Sequence, residues 1–473
     1  MPSINWSFAL LTLLASHGSQ AVDVSWHAPQ ASEVNDLDKV LSASGVYGFI
    51  FNSSDTPDRI YGQYNWCNMP HVRRQEYKIP SREYELQYVE VIHRHHKRTP
   101  YQSNTFPVES YPWNCDDEGL YFYGQPMRGK QSAEPYWKGY QNPVTPFTVP
   151  GFKGTCTFPQ ISKEGLDDSW QHGRDLYRVY HDLLHFLPRS LDLDKVSYRV
   201  TTNVITSQVA GMLINGMYGV SGRIPLNVEA SSIDSLEPSY SCPKGTALFS
   251  KAKSQPNTTW AAHLSRTKEL FSSLDSVSGV SPSDSGWHVS FDHYFDNLSA
   301  RLCHAKPLPC SANDPSKCIS QSQADTVFRL GQFEYSYIYR DAPTSLAAST
   351  ASMGVWIAEL AQHLRDQIGG HDGKMIYRHN VAHDGSVSRV LSILQIDKMV
   401  WPGMGAEIVF ELYAKKGKPE KEYFVRVLFG GRVMHSSNPD LGVLDMIPAS
   451  KLLVYFDGLV GEKAKSVPGL CQR

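Results

Sequence analysis

Residues 86–93 (LQYVEVIH) constrain this chain most. Val89, Val91 and Ile92 make the run nearly continuous in apolar or β-favouring residues, so neither face suits water. A strand covered on both faces belongs to a sheet flanked by helices. The run passes straight into Arg94-His95-His96-Lys97-Arg98-Thr99-Pro100.

The remaining segments supply partners for such a strand. Residues 164–187 have helical spacing, with Leu166, Trp170, Leu176, Tyr180 and Leu184 on one side. Residues 196–200 (VSYRV) read as a strand and 205–217 as the helix after it, a βα unit. Residues 349–368 form an amphipathic pattern carried by Met353, Ile357, Leu360 and Leu364. A short strand at 374–377 (KMIY) precedes a segment holding His383-Asp384. Residues 407–414 and 422–428 read as a late hairpin of alternating strands. The expectation is an α/β fold, with a central, mostly parallel sheet flanked by helices. The core occupies 85–224 and 346–473, and a mainly helical and loop insertion occupies 225–345. Residues 22–84 read as an irregular N-terminal extension, and 101–160, rich in Pro, Gly, Tyr and Asn, as loop.

Residues 1–21 read as a signal peptide. The apolar run at 8–15 (FALLTLLA) is too short to span a membrane, and Ser19 and Ala21 fit cleavage before Val22. No later segment reads as a membrane span. The eight cysteines are even in number and widely spaced. They form no CxxC pair, and no nearby HxxxH suggests zinc, so up to four disulfides are expected. A secreted, extracellular or cell-wall protein is the implied setting. There Asn52, Asn257 and Asn297, each in an acceptor tripeptide, become glycan candidates. A net charge of -2 gives no basic excess for nucleic acid. The sequence sets no oligomeric state.

Two clusters carry chemistry. Arg94 and Arg98 flank His95 at the end of a buried strand. Two guanidinium groups make a site for a phosphoryl dianion, and a neutral imidazole between them can attack phosphorus. Downstream, His383 offers a donor to nonbridging oxygens, and Asp384 an acid for the leaving alkoxide. The bland readings are a basic surface loop and an Asp384 helix cap.

The pairing of R-H-x-x-R-x-P at 94–100 with H-D at 383–384 resembles the histidine acid phosphatase family of the histidine phosphatase superfamily. Phe106-Pro107-Val108-Glu109, Trp113-Asn114-Cys115 and Phe410-Glu411-Leu412-Tyr413 are similar to family segments, so the resemblance covers roughly 85 to 430. It implies hydrolysis of small-molecule phosphate monoesters through a phosphohistidine, with no metal or organic cofactor. His95 resembles the nucleophile, Asp384 the proton donor, and Arg94, Arg98 and His383 the phosphate ligands.

Two positions depart from the family pattern. His96 stands where the family usually has glycine, and Ile205 where a third phosphate-binding arginine belongs. Lys97 and Arg199 are the nearby cations that could compensate. The departures keep a second reading open, a phosphatase-like binding protein with weak or no catalysis. A phosphomutase is disfavoured by the leader, a phytase would need a wider basic pocket, and no GxxxxGK[ST] loop supports a nucleotide enzyme.

Overall fold

The computed structural model describes residues 22–46, 65–108, 111–115, 137–140, 142–147, 153–254, 258–417 and 421–472. The leader at 1–21, Asn52 and Asn257 lie outside them.

The strands are β1 (Tyr84–Arg94), β2 (Val196–Val200), β3 (Asn227–Val228), β4 (Tyr377–Ala382), β5 (Glu407–Lys415), β6 (Tyr423–Phe429), β7 (Arg432–Val433) and β8 (Ile447–Pro448). They form one sheet in the order β3-β2-β4-β1-β5-β6-β7, with β8 on β6. β3, β2, β4 and β1 run parallel, while β5 to β7 continue the sheet antiparallel. Arg94 pairs with Ala382, and Val200 with Val381, so β1, β2 and β4 end together at one edge.

The helices are α1 (Leu37–Ser42), α2 (Lys163–Tyr177), α3 (Val204–Tyr218), α4 (Pro243–Ser254), α5 (Thr259–Arg266), α6 (Lys268–Ser278), α7 (Ser285–His288), α8 (Asp292–Cys303), α9 (Gln321–Ser336), α10 (Ser345–Gly369), α11 (Asp384–Ile393), α12 (Ala449–Val460) and α13 (Val467–Cys471). Strand alternation divides the core between two layers. Val89 and Val91 pack with Leu176 of α2 and Leu213 of α3, whereas Tyr88 and Ile92 join Trp356 of α10 and Leu391 of α11. Each such buried aliphatic side chain contributes about 1.5–3 kcal/mol. The second layer also takes in Phe271, Phe295 and Phe328, so the helices within 225–345 share a buried cluster with the sheet.

Some elements differ from the sequence reading. The segment 164–187 is α-helical only to Tyr177 and continues as a π-turn, Arg178–Leu183. Trp170 is 39% exposed, not buried, and its indole N–H donates to Asn215. The reason is a close crossing of α2 and α3, where a Cβ on Gly173 would meet Leu213 O at 2.0 Å. Gly173, not the Trp170 ring, sits at this crossing. β4 starts at Tyr377, where the 374–377 run ends, because its polar side chains find partners within the fold. Asn380 Nδ2 donates to Glu90 and to Val91 O, and Arg378 is paired with Asp372. β5 is buried almost throughout, without the expected alternation.

Four disulfides join Cys67–Cys303, Cys115–Cys156, Cys242–Cys471 and Cys310–Cys318. Asn297 is corrected as a glycan candidate. It is 1% exposed, its amide donates to Asn104 O, and its oxygen accepts from Arg301. Among the described residues, no helix is long and apolar enough to cross a membrane.

Candidate active site

The shared edge of β1, β2 and β4 gathers the five candidate site residues Arg94, His95, Arg98, His383 and Asp384. β1 delivers Arg94 and His95, β2 leads to Thr201, and β4 leads to His383 and Asp384. Parallel α/β sheets place ligand sites at this edge because the loops there diverge. The loop after β1 is tied down along its length. Lys97 O accepts from Ser162 N, Thr99 N donates to Gln160 O, and Thr99 Oγ1 accepts from Gln160 N.

His95 lies within this frame, 1% exposed. Its Nδ1 is 2.9 Å from His96 O. A carbonyl only accepts, so Nδ1 carries the proton and Nε2 keeps its lone pair. Burial, then the charges of Arg98 and Arg94, hold this imidazole well below the usual histidine range. His95 is therefore neutral, with its reactive nitrogen free.

The two arginines are buried and held by carboxylates. Arg94 Nη2 lies 3.1 Å from Asp384, Nη1 donates to Pro402 O, and the guanidinium lies over the Trp66 ring at 4.8 Å. Arg98 Nη2 lies 3.0 Å from Asp296 of α8, and its guanidinium lies over Tyr101 at 4.2 Å. Each arginine keeps one buried donor, its Nε–H, without a hydrogen-bond partner. Buried donors of this kind are costly and mark where an acceptor is missing.

His383 occupies the N-cap position of α11, so Asp384 is the first helical residue and not the cap. His383 Nε2 is 3.0 Å from Thr201 Oγ1 and 3.3 Å from Glu237. Its ring centroid is 5.5 Å from that of His95. Asp384 accepts from Trp401 Nε1 at 2.9 Å. Trp401 is clamped between Tyr335 at 3.8 Å and Phe295 at 4.0 Å, so the acid has a fixed donor behind it. Burial pushes Asp384 up, but Arg94, Trp401 and Arg98 outweigh it and leave the carboxyl below its ordinary range.

The two departures have different outcomes. His96 points away from His95, with its Nε2 3.0 Å from His172 Nδ1. Room for the ring comes from Gly405, at φ +73, where a Cβ would meet His96 Cε1 at 2.4 Å. Ile205 is fully buried with Ile161, Val200, Val209, Ala210 and Val381. The two possible substitutes are committed elsewhere. Lys97 pairs with Asp168, and Arg199 with Glu229 and Glu359. Trp66, Asp296, Thr201, Glu237 and Trp401 escaped the sequence reading. Each lies far along the chain from the motifs it touches, and only the Cys67–Cys303 bridge, beside Trp66 and at the end of α8, hints at the connection.

The chain matches the histidine phosphatase superfamily (branch 2) over residues 85–430. Counting factor 60 of Dictyostelium discoideum is 22% identical over 359 residues, which span 73% of this chain and 80% of that protein. Among solved structures, the fold is similar to that of Hafnia alvei phytase in its apo form. The TM-score is 0.54 at 12% identity, covering 84% of this chain and 100% of that one. A phytase from Klebsiella sp. ASR1 gives a TM-score of 0.50 at 15% identity, covering 81% and 97%. At these identities the structural likeness concerns the fold.

Proposed function

We propose that this chain, which belongs to branch 2 of the histidine phosphatase superfamily, is a secreted acid phosphatase that hydrolyses small phosphate monoesters through a phosphohistidine at His95. The observation that carries this reading is a neutral His95 between two arginines whose Nε–H groups have no partner.

The steps follow from the side chains present. Arg94, Arg98 and His383 hold the nonbridging oxygens. His95 Nε2 attacks phosphorus, and the P–O bond to the leaving group breaks. Asp384, as the carboxylic acid, gives its proton to the departing oxygen. In the second step Asp384, now a carboxylate, takes a proton from water, whose oxygen attacks phosphorus as the P–N bond breaks. Asp296 and Asp384 offset much of the charge of the two arginines, which favours a single phosphate over a polyanion.

Trapping the intermediate tests this. A radiolabelled aryl phosphate is mixed with enzyme and quenched in alkali, where a phosphohistidine survives. Label on the peptide containing His95 is expected. Product formation with no label, or label on another residue, would overturn the mechanism.

Ile205 favours a second reading, a phosphate-binding protein with little turnover, and one relative's name denotes counting, not hydrolysis. Loss of one transition-state donor removes about 2.7–4 kcal/mol, or roughly a hundredfold to a thousandfold in rate. Phosphate binding without product release from any monoester would support it.

A further inference from the structure

Directly behind the nucleophile, the rings of His93, His96 and His172 converge in a buried cluster. His93 is the last residue but one of β1, His96 lies in the loop after it, and His172 comes from α2, so two separate stretches of chain meet there. We propose that these three imidazoles bind a divalent zinc ion, which ties the catalytic loop to α2.

The geometry suits a metal of this class. One ring nitrogen from each histidine lies within 4.8 Å of the other two. His96 Nε2 and His172 Nδ1 are already 3.0 Å apart. A tetrahedral ion with metal–nitrogen bonds of about 2.0–2.1 Å needs ligand atoms roughly 3.3 Å apart. The ion replaces the proton that these two rings share, and His96 stays neutral with its proton on Nδ1. His93 Nε2 is buried and has no hydrogen-bond partner. Such a nitrogen demands either a bound group or a penalty.

Two of the three outer nitrogens are held as metal sites hold them. His172 Nε2 lies 2.8 Å from Glu407, and His93 Nδ1 lies 2.7 Å from His379, whose other nitrogen meets Tyr377 OH at 2.7 Å. A carboxylate behind His172 and a ring behind His93 fix the tautomer and direction of those two ligands, whereas His96 Nδ1 is buried without a hydrogen-bond partner. His71 is stacked on His172 at 4.2 Å and stands beside the three. Three imidazoles with no thiolate suit zinc over calcium or magnesium, which prefer oxygen. The consequence falls on His95, because the carbonyl that orients its ring belongs to His96.

The test uses the full secreted chain with disulfides intact. The protein is stripped with a chelator, reloaded with Zn(II) or Co(II), desalted and assayed for metal. One retained equivalent of zinc, a tetrahedral visible spectrum with Co(II) and a raised thermal midpoint are expected. His172→Asn loses the ion, Glu407→Gln weakens it about 10- to 100-fold, and His95→Ala keeps it. Wild-type protein that retains no stoichiometric zinc would overturn the proposal, whatever the variants do. So would an ion that survives His172→Asn and disappears in His95→Ala.

Discussion

Asp296→Asn removes the carboxylate that holds Arg98 and the start of the phosphate loop. Asp296 is buried and lies 3.0 Å from Arg98 Nη2. It also accepts from Tyr101 N at 3.1 Å and from Asn104 Nδ2 at 2.8 Å. At an effective dielectric near 20, a pair at this separation is worth about 332/(20 × 3.0), or about 5.5 kcal/mol, before desolvation. Breaking a buried pair by removing one partner costs about 3–5 kcal/mol. Arg98 keeps Thr99 O and the Tyr101 ring, so a loss of about 4 kcal/mol is expected. The assay is urea unfolding followed by tryptophan fluorescence, with and without inorganic phosphate. Bound phosphate stabilises by RT ln(1 + [L]/Kd), and it meets an uncompensated Arg98 only in the variant. Phosphate therefore raises the midpoint of Asp296→Asn more than that of the wild type. A variant within about 1 kcal/mol of wild type, or one that phosphate stabilises less, would refute the reasoning.

Asp384→Asn lowers kcat for alkyl phosphates by about 10²–10⁴-fold and for aryl phosphates by less, because a good leaving group needs little protonation; equal losses on both would remove Asp384 from the acid role. The free carboxyl lies below its ordinary range, so the proton for the leaving group arrives with the substrate monoanion, whose second pKa is about 6. The ratio kcat/KM is then level below about pH 6 and falls about tenfold per pH unit above it; a profile rising into alkali contradicts this. Ile205→Arg does not restore a clamp but buries a guanidinium among five apolar side chains, lowering stability by several kcal/mol with no gain in aryl phosphate turnover. A melting point unchanged from wild type, or faster turnover, would show that the side chain reaches the site.

The parallel half of the fold was legible because β1 and β2 carry their apolar content locally. Residues 196–200 form a strand with the predicted bounds. β4 was harder to place, since His379 and Asn380 look like loop residues until Glu90 and His93 are set beside them. The β5–β6 hairpin was legible as a pair, but its burial on both faces depends on helices far along the chain. At the site, short motifs exposed Arg94, His95, Arg98, His383 and Asp384. Their carriers did not announce themselves, because Trp401 lies 17 residues from Asp384 and Asp296 lies 198 from Arg98. His96 departs from the family's glycine in sequence, and space at Gly405 lets its ring turn toward His172. The histidine cluster escaped for a related reason. His93 and His96 are three apart, and their partner His172 is 76 residues beyond His96 on another element.

The central claim is that His95 hydrolyses phosphate monoesters, and turnover of a simple aryl phosphate tests it most directly. The chain beginning at Val22, with its disulfides formed, is assayed from acid to neutral pH beside His95→Ala. Robust turnover at acid pH that vanishes in His95→Ala is the predicted result, with Arg94 and Arg98 sufficing despite Ile205. Wild-type turnover no greater than that of His95→Ala would contradict it.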